Sequence, residues 1–192
     1  MYDVLPAVRR RRPGVIDDGP QNRQPIPIIH VDQTAKSSIA RLHSHLPDDA
    51  GVLLRSRFQI INLWRPISHP AVDWPLAFCD HRSLDVDEDL IEVTLIFGAR
   101  EGQNFSVKYS PDHRWVYKSA MDPEDFVLFK WSVRIDVRTQ VSDSTTVSFD
   151  SVLDGGVATM AAHTAFEDPN TPEDAPFRES IELRAFVFYE ES

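Results

Sequence analysis

Short runs of β-branched and aromatic residues recur along most of the chain and predict a mainly β protein. Seven such runs are bounded by Pro, Asp, Gly or Asn residues, which is the pattern of strands separated by turns. The predicted strands are RFQIINLW, LIEVTLIF, NFSVKYS, RWVYKS, DFVLFKW, GVATMAAHTAF and SIELRAFVFY.

One segment has helical spacing instead. In AKSSIARLHSHLPDDAGVLLRS, apolar side chains recur every three or four positions, at Ile39, Leu42 and Leu46, and the pattern is interrupted at Pro47. Seven strands with one helical segment predict a double-stranded β-helix, that is, a jelly-roll or cupin-like fold. Such a fold has an interior wide enough for a small ligand or a metal ion.

The division of the chain follows from the distribution of proline. Residues 1–25 hold four of the 14 prolines and few large apolar residues, so we expect an extended lead-in. We expect a single β domain over residues 26–192.

Composition and charge narrow the choice of partners. With 20 basic and 30 acidic residues the formal charge is -10, which argues against nucleic acid or an anionic membrane as the main partner. We interpret the basic run at residues 9–13, RRRRP, as a solvated tail. The sequence has no apolar run of about 18 residues and no signal-like start, so we expect a cytoplasmic location. We interpret the lone Cys79 as a buried structural residue.

Four polar elements follow one another in an order that suits a metal site. His30 and Asp32 form an H-x-D pair, His163 lies on the penultimate predicted strand, and Arg178 and Ser180 form R-x-S 15 positions further on. Two histidines and one carboxylate leave three positions open on an octahedral iron(II) ion. A keto acid such as 2-oxoglutarate could take two of them and dioxygen the third. Its far carboxylate suits a bidentate arginine with a neighbouring hydroxyl.

Each residue also has a structural interpretation. Taken singly, His163 fits a hydrogen-bonded core histidine and Arg178 a surface ion pair, but the joint order favours the metal site. A second histidine pair, His43 and His45, lies in the predicted helix, where side chains two apart point about 200° away from each other and cannot share one ion. We expect His113 to cap a turn rather than to line a pocket.

Several longer motifs resemble the fungal and bacterial hydroxylase/desaturase family of the AsaB type. The matching stretches are HVDQT, IINLWRPISHPAVDWPLAFCDHRS, SVKYSPDHRWVYKSAMDPEDFVLFK and HTAFEDPNTPEDAPFRESIELRAFVFY. The resemblance implies an iron(II)- and 2-oxoglutarate-dependent oxygenase, with His30, Asp32 and His163 as metal ligands and Arg178 as the keto-acid anchor. The pocket candidates, each of which could equally be a packing residue, are Asn62, Trp64, Arg65, Tyr109, Trp115 and Tyr117.

The chain departs from this family pattern in two places. Only 29 residues precede His30, so we expect the barrel to lack a covering strand or helix on its N-terminal side. Residues 131–148, WSVRIDVRTQVSDSTTVS, read as an insertion that lies outside the barrel as a loop.

The sequence therefore predicts an oxidoreductase that hydroxylates or desaturates a small secondary metabolite with dioxygen. The alternative is a non-catalytic barrel of the same family that binds a small molecule or supports another enzyme. A third interpretation, an oxygenase or isomerase that needs no keto acid, would keep the iron but not the requirement for Arg178. No sequence feature supports a particular protein partner.

Overall fold

Two antiparallel β-sheets form the jelly roll that the sequence predicts. The computed structural model describes residues 6–55, 58–97, 100–131, 158 and 160–189. Within these ranges the strands are β1 (Ala7–Arg10), β2 (His30–Val31), β3 (Phe58–Pro66), β4 (Leu76–Cys79), β5 (Leu90–Phe97), β6 (Arg100–Val107), β7 (Trp115–Tyr117), β8 (Val127–Trp131), β9 (His163–Ala165) and β10 (Glu179–Phe188).

One sheet has four strands in the order β1-β10-β3-β8, and the other has six in the order β5-β6-β2-β9-β4-β7. All paired strands in the described ranges run antiparallel. The helices are α1 (Ala35–His45), α2 (Ala50–Leu53) and the single turn α3 (Val86–Asp89), with a 3-10 turn at His81–Ser83. None of the described helices is long and apolar enough to cross a bilayer.

Each of the seven predicted strands has a counterpart, although the described part of GVATMAAHTAF is a strand only at His163–Ala165. Three strands were missed because their sequences carry weak signals. β1 reads AVRR, β2 has two residues, and β4 is a four-residue LAFC directly after Pro75. Short or charged segments of this kind become strands through pairing partners that are distant in the sequence.

The inward face of β3 shows where a polar site interrupts the core. Phe58 and Ile60 belong to one buried apolar cluster, and Trp64 belongs to a second. Asn62 lies between them on the same face, because side chains alternate along a strand, and it is completely buried. The polar site described below therefore lies between two apolar clusters.

Helix α1 covers the first of these clusters. Thr34 accepts a hydrogen bond from the Ser37 backbone N–H at 3.2 Å and so caps the helix N-terminus. Leu42 is fully buried on its inner face, and its truncation to alanine would cost about 2–5 kcal/mol. Pro47 separates α1 from α2, as the interrupted pattern predicts.

The interpretation of residues 9–13 as a solvated tail is wrong. Arg9 and Arg10 belong to β1, opposite Ser180 and Glu179 of β10. Arg10 Nε lies 2.9 Å from a Glu179 carboxylate oxygen, and Arg11 Nη1 lies 2.7 Å from Asp73 Oδ1. The run has no apolar periodicity because Arg9 and Arg10 belong to an edge strand and Arg10 and Arg11 form ion pairs with residues far away in the sequence, while Arg12 and Pro13 are exposed.

The predicted insertion at residues 131–148 lies outside the described residues beyond Trp131. Trp131 itself ends β8 and pairs with Ile60.

Candidate metal centre

Strands β2 and β9 bring the two predicted histidine ligands side by side. They are antiparallel neighbours in which His30 is directly opposite His163. Asp32 follows His30 by two positions and therefore emerges on the same side of the sheet. One ligand atom from each of the three residues lies within 4.8 Å of the other two. The Nε2 atoms of His30 and His163 are each 3.8 Å from an oxygen of Asp32.

Both imidazole rings are oriented by their own strands. His30 Nδ1 lies 2.7 Å from the carbonyl oxygen of Ile28, and His163 Nδ1 lies 2.9 Å from that of Ala161. A carbonyl only accepts, so Nδ1 carries the proton and donates it in both rings. The unprotonated Nε2 atoms then face Asp32, which is the arrangement that metal-binding histidines use.

The Asp32 carboxylate is held by two residues from the opposite sheet. Asn62 Nδ2 donates to Oδ2 at 2.5 Å, and Arg184 Nη2 donates to Oδ1 at 2.9 Å. Arg184 Nη2 also lies 2.8 Å from Glu182 Oε1. Asn62 and Arg184 are direct partners on neighbouring strands, β3 and β10. The two sheets therefore meet at this carboxylate.

The electrostatic surroundings favour the ligating form of these groups. Burial, with the nearby His163, lowers the pKa of His30 to about 4, so its ring is neutral near pH 7. Burial alone would raise the pKa of Asp32, but Arg184, the two histidines and the Asn62 hydrogen bond lower it overall. A neutral imidazole and an ionised carboxylate are the forms that bind a divalent cation.

Arg178 and Ser180 lie at the start of β10, facing the same interior. Both are buried, with 2% and 1% of their surface exposed. The Nε of Arg178 and the Oγ of Ser180 are buried without a hydrogen-bond partner. Burial lowers the pKa of Arg178, as does the proximity of Arg9, while Asp73 and Glu182 raise it. Within the described ranges, Arg178 forms no ion pair.

The motif DWP positions Arg178. The backbone N–H of Arg178 donates to Asp73 Oδ2 at 3.0 Å, and its guanidinium Nη1 donates to the Trp74 carbonyl at 2.6 Å. The guanidinium carbon lies 5.5 Å from the ring centre of Trp64. Trp74 has a φ of 46°, a conformation that is rare for a bulky residue. A buried cation held in this way is prepared to receive an anion.

A small cavity of about 20 Å³ joins these groups. Its walls include the three candidate ligands as well as Trp64, Leu76 and Arg178. The His163 ring packs against Phe129 and Phe78, with ring centres 4.8 and 6.0 Å apart. The candidate metal centre is therefore shielded from solvent on the β4–β8 side.

The pocket candidates separate into three groups. Asn62 and Trp64 lie at the metal centre, as described above. Arg65 is on the opposite, exposed face of β3, and Tyr109 is 85% exposed, so the structure brings neither to the cavity. Tyr117 lines a separate apolar cavity of about 280 Å³ and donates to Asp168. Trp115 is on the same short strand, β7, and is part-exposed.

The remaining histidines and the cysteine lie away from the centre. His43 and His45 are exposed on α1. The His113 side chain is buried with Nε2 2.8 Å from Asp89 Oδ2, which ties its turn to the end of α3. Cys79 is a buried free thiol, and burial raises its pKa. Its buried position agrees with the structural role that the sequence suggested.

Three charged residues near the site were not predicted from the sequence. Glu182 and Arg184 continue the inward face of β10 after Arg178 and Ser180, and Arg9 lines the same cavity from β1. Glu182 and Arg184 could have been predicted from the sequence. In R-x-S-x-E-x-R the polar residues recur at every second position of a predicted strand, so their side chains lie on one face. No comparable signal marked Arg9.

Known proteins resemble this chain over most of its length. A family model described as an Oxidoreductase/YMDC permease-like domain matches residues 6–188. Aspirochlorine biosynthesis protein N of Aspergillus oryzae is 37% identical over 172 residues, and hydroxylase/desaturase asaB of Aspergillus flavus is 36% identical over 159 residues. The chain belongs to the hydroxylase/desaturase family of the AsaB type.

A solved structure of this family has the same fold. The iron and alpha-ketoglutarate-dependent endoperoxidase NvfI superimposes with a TM-score of 0.75 at 30% identity, covering 96% of this chain and 60% of that one. The two relatives named above are covered over 63% and 60% of their length, and 86% and 74% of this chain is matched. This member of the family therefore spans about three-fifths of the length of those relatives.

Proposed function

We propose that this chain forms the catalytic barrel of an iron(II)- and 2-oxoglutarate-dependent oxygenase that oxidises a small organic molecule. The observation that carries the proposal is the convergence of His30, Asp32 and His163 within 4.8 Å. One relative, NvfI, supports the choice of cofactors, since its names describe dependence on iron and on 2-oxoglutarate, also called alpha-ketoglutarate.

The donor set fits iron(II). Two imidazole nitrogens and one carboxylate, on one side of the ion, form the facial triad of non-haem iron oxygenases. The Nδ1 hydrogen bonds to backbone carbonyls fix both rings before any metal arrives. Asn62 and Arg184 hold one carboxylate oxygen each, so Asp32 is oriented as well as ionised.

The second half of the proposed machinery is the anion anchor. Arg178 is a buried cation, and its Nε and the Ser180 Oγ lack partners. A buried donor without a partner costs about 1–3 kcal/mol, and a carboxylate of 2-oxoglutarate would satisfy both groups. Because the cavity holds about 20 Å³, room for roughly one water molecule, binding of the keto acid requires neighbouring side chains to move.

When bound, iron(II) and 2-oxoglutarate would supply the oxidation of a C–H bond by dioxygen, with the keto acid converted to succinate and carbon dioxide. The role of the chain is to fix the ligand geometry, to neutralise the keto acid with Arg178, and to exclude water. Phe78, Phe129 and Trp64 provide the apolar wall for the last of these tasks.

The test is anaerobic addition of iron(II) and 2-oxoglutarate to the full chain. We expect a visible absorption band that requires both additions, because it arises from a keto acid chelated to iron(II). On exposure to air, succinate should form even without an organic substrate. Neither signal should appear with His163→Ala.

The same assay distinguishes the proposed function from the two alternatives. A non-catalytic binding barrel would form no succinate under these conditions. An iron enzyme that uses no keto acid would bind the metal, but the absorption band would not depend on 2-oxoglutarate.

A further inference from the structure

Arg178 directly precedes β10, and contacts beyond that strand fix its position. Its carbonyl oxygen accepts from the Arg11 backbone N–H at 2.8 Å. Its own backbone N–H donates to Asp73 Oδ2 at 3.0 Å, and its guanidinium Nη1 donates to the Trp74 carbonyl at 2.6 Å. The proposed keto-acid anchor is therefore held by Arg11, Asp73 and Trp74.

The side chain of Arg11 contacts the same carboxylate that holds Arg178. Arg11 Nη1 lies 2.7 Å from Asp73 Oδ1, while the other oxygen of Asp73 accepts from the Arg178 N–H. The carboxylate thus links two cations that are 167 positions apart in the sequence. Hydrogen bonds to a charged group are stronger than neutral ones, so this link restricts the orientation of the Arg178 backbone.

Two aromatic rings keep the Arg11 guanidinium beside Asp73. Its central carbon lies 5.1 Å from the ring centre of Trp74 and 5.1 Å from that of Phe177, both within the range of cation–π contacts. Trp74 follows Asp73 in the chain and Phe177 precedes Arg178. Arg11 therefore contacts both of the segments that the carboxylate joins.

Burial makes the contact between Arg11 and Asp73 important. Asp73 is only 3% exposed, and a buried carboxylate that loses its cation partner is costly. Without the Arg11 guanidinium, we expect the Asp73 carboxylate to turn toward water and to release the Arg178 N–H. Trp74 has a φ of 46°, a conformation that persists in a bulky residue only when its surroundings hold it.

We propose that Arg11 is a positioning residue for the keto-acid anchor and that it acts on Arg178 through the Asp73 carboxylate. The inference rests on the proposed function, because it concerns the co-substrate site of that same centre. Arg11 is not among the described residues that line the metal-centre cavity. Its role is therefore to orient Arg178 and not to bind the keto acid itself.

The test is anaerobic titration of the iron(II)-loaded full chain with 2-oxoglutarate, followed by the absorption band of the chelated keto acid. Arg11→Gln should weaken 2-oxoglutarate binding about tenfold, the lower range for loss of a supporting partner. Its iron(II) affinity should equal that of the parent chain. Arg10→Gln is the matched control, because it removes the neighbouring arginine from a part-exposed pair with Glu179, and such pairs contribute little.

A second substitution tests whether Arg11 acts through Asp73. Asp73→Asn should also weaken 2-oxoglutarate binding, because a neutral amide attracts both donors less strongly than a carboxylate does. If the two residues act through one contact, Arg11→Gln/Asp73→Asn should bind 2-oxoglutarate about as well as the weaker single variant. Effects that multiply in the double variant would overturn the proposal. Asp73→Asn also tests the same contact if Arg11→Gln does not fold, which circular dichroism would show.

Amide hydrogen exchange of the metal-free chain needs neither iron nor 2-oxoglutarate. In Arg11→Gln the Arg178 amide should exchange faster, whereas the amides of α1 should exchange as in the parent. Three results would overturn the proposal: unchanged exchange at Arg178, faster exchange in α1 as well, or equal loss of 2-oxoglutarate affinity in Arg10→Gln. A parent chain that binds iron(II) but no 2-oxoglutarate would instead overturn the proposed function, and hydrogen exchange would still show whether Arg11 fixes Arg178.

Discussion

The two sheets contribute different kinds of residue to the candidate site. The six-stranded sheet supplies the three candidate ligands from β2, β9 and the residue that follows β2. The four-stranded sheet supplies Asn62 and Arg184, which hold the carboxylate of Asp32, and the buried Arg178 directly precedes its strand β10. One sheet thus holds the candidate ligands, and the other orients the carboxylate of Asp32 and lowers its pKa.

This difference has a structural reason. β2 and β9 have only two and three residues, so they place a few atoms accurately but present no extended face. β10 has ten residues; its inward side chains are polar at Ser180, Glu182 and Arg184, and Phe186 and Phe188 then pack against the apolar core. A long strand can therefore present several polar side chains to the site, among them Arg184, which contacts both Asp32 and Glu182. Substitutions in the two sheets should have separable effects.

The largest effect is expected in the six-stranded sheet. His163→Ala removes a candidate ligand and should weaken iron(II) binding by more than about 100-fold, the upper range for loss of a supporting partner. Anaerobic titration would measure the affinity. His43→Ala, an exposed histidine on α1, is the matched control and should bind iron like the parent chain. Similar iron affinity in both variants would show that His163 is not a metal ligand.

Next in size is the loss of the anion anchor. Arg178→Ala should weaken 2-oxoglutarate binding by about 1.5–3 kcal/mol, roughly 10- to 100-fold, because a charge-assisted hydrogen bond is lost. Iron affinity should stay nearly the same, since Arg178 does not contact the candidate ligands.

Arg65→Ala provides the control for this variant, because Arg65 is on the exposed face of the neighbouring strand β3. Equal loss of iron and 2-oxoglutarate binding in Arg178→Ala would indicate that the arginine supports the fold instead of the co-substrate.

The residues that each sheet contributes to the candidate site can be predicted from the sequence only in part. The H-x-D pair, the distant histidine and R-x-S stood out because each has a recognisable spacing, and the strand with R-x-S was apparent from its apolar alternation. Asn62 was noticed only through the family resemblance, and its hydrogen bond to Asp32 depends on the packing of two sheets. No local pattern reports such a contact.

Charges in the N-terminal segment were the hardest to interpret. Arg9 and Arg10 look like a solvated basic run because their partners, Ser180 and Glu179, are about 170 positions away. Strand pairing of such long range is decided by the global topology. By contrast, the helix break at Pro47 was predictable, because it depends on the backbone of a single residue.

A smaller effect is expected for the residue that orients Asp32. Asn62→Leu removes the hydrogen bond to Oδ2 and should lower iron affinity by about tenfold, the lower range for a supporting partner. Gln59→Met removes another buried amide of β3, one that accepts from Tyr189 at 2.7 Å, and should leave iron affinity unchanged. If both variants lost the same affinity, general destabilisation of β3 would explain the result better than orientation of the carboxylate.

The smallest effect is expected from the insertion predicted at residues 131–148. Ten of its eighteen residues are Ser, Thr, Asp or Gln, and a polar surface insertion adds little to stability. A chain that lacks residues 132–148 should melt at the same temperature or higher, as measured by differential scanning calorimetry, and should be more active. A marked drop in melting temperature would show that the segment belongs to the fold.

X-ray absorption spectroscopy of the iron(II)-loaded chain tests the central claim most directly, because it counts the imidazoles bound to the metal. We predict two imidazole nitrogens and oxygen ligands at about 2.0–2.2 Å, a typical range for metal–nitrogen and metal–oxygen bonds, with one imidazole left in His163→Ala. An iron environment of oxygen atoms alone, or one that is the same in both proteins, would contradict it.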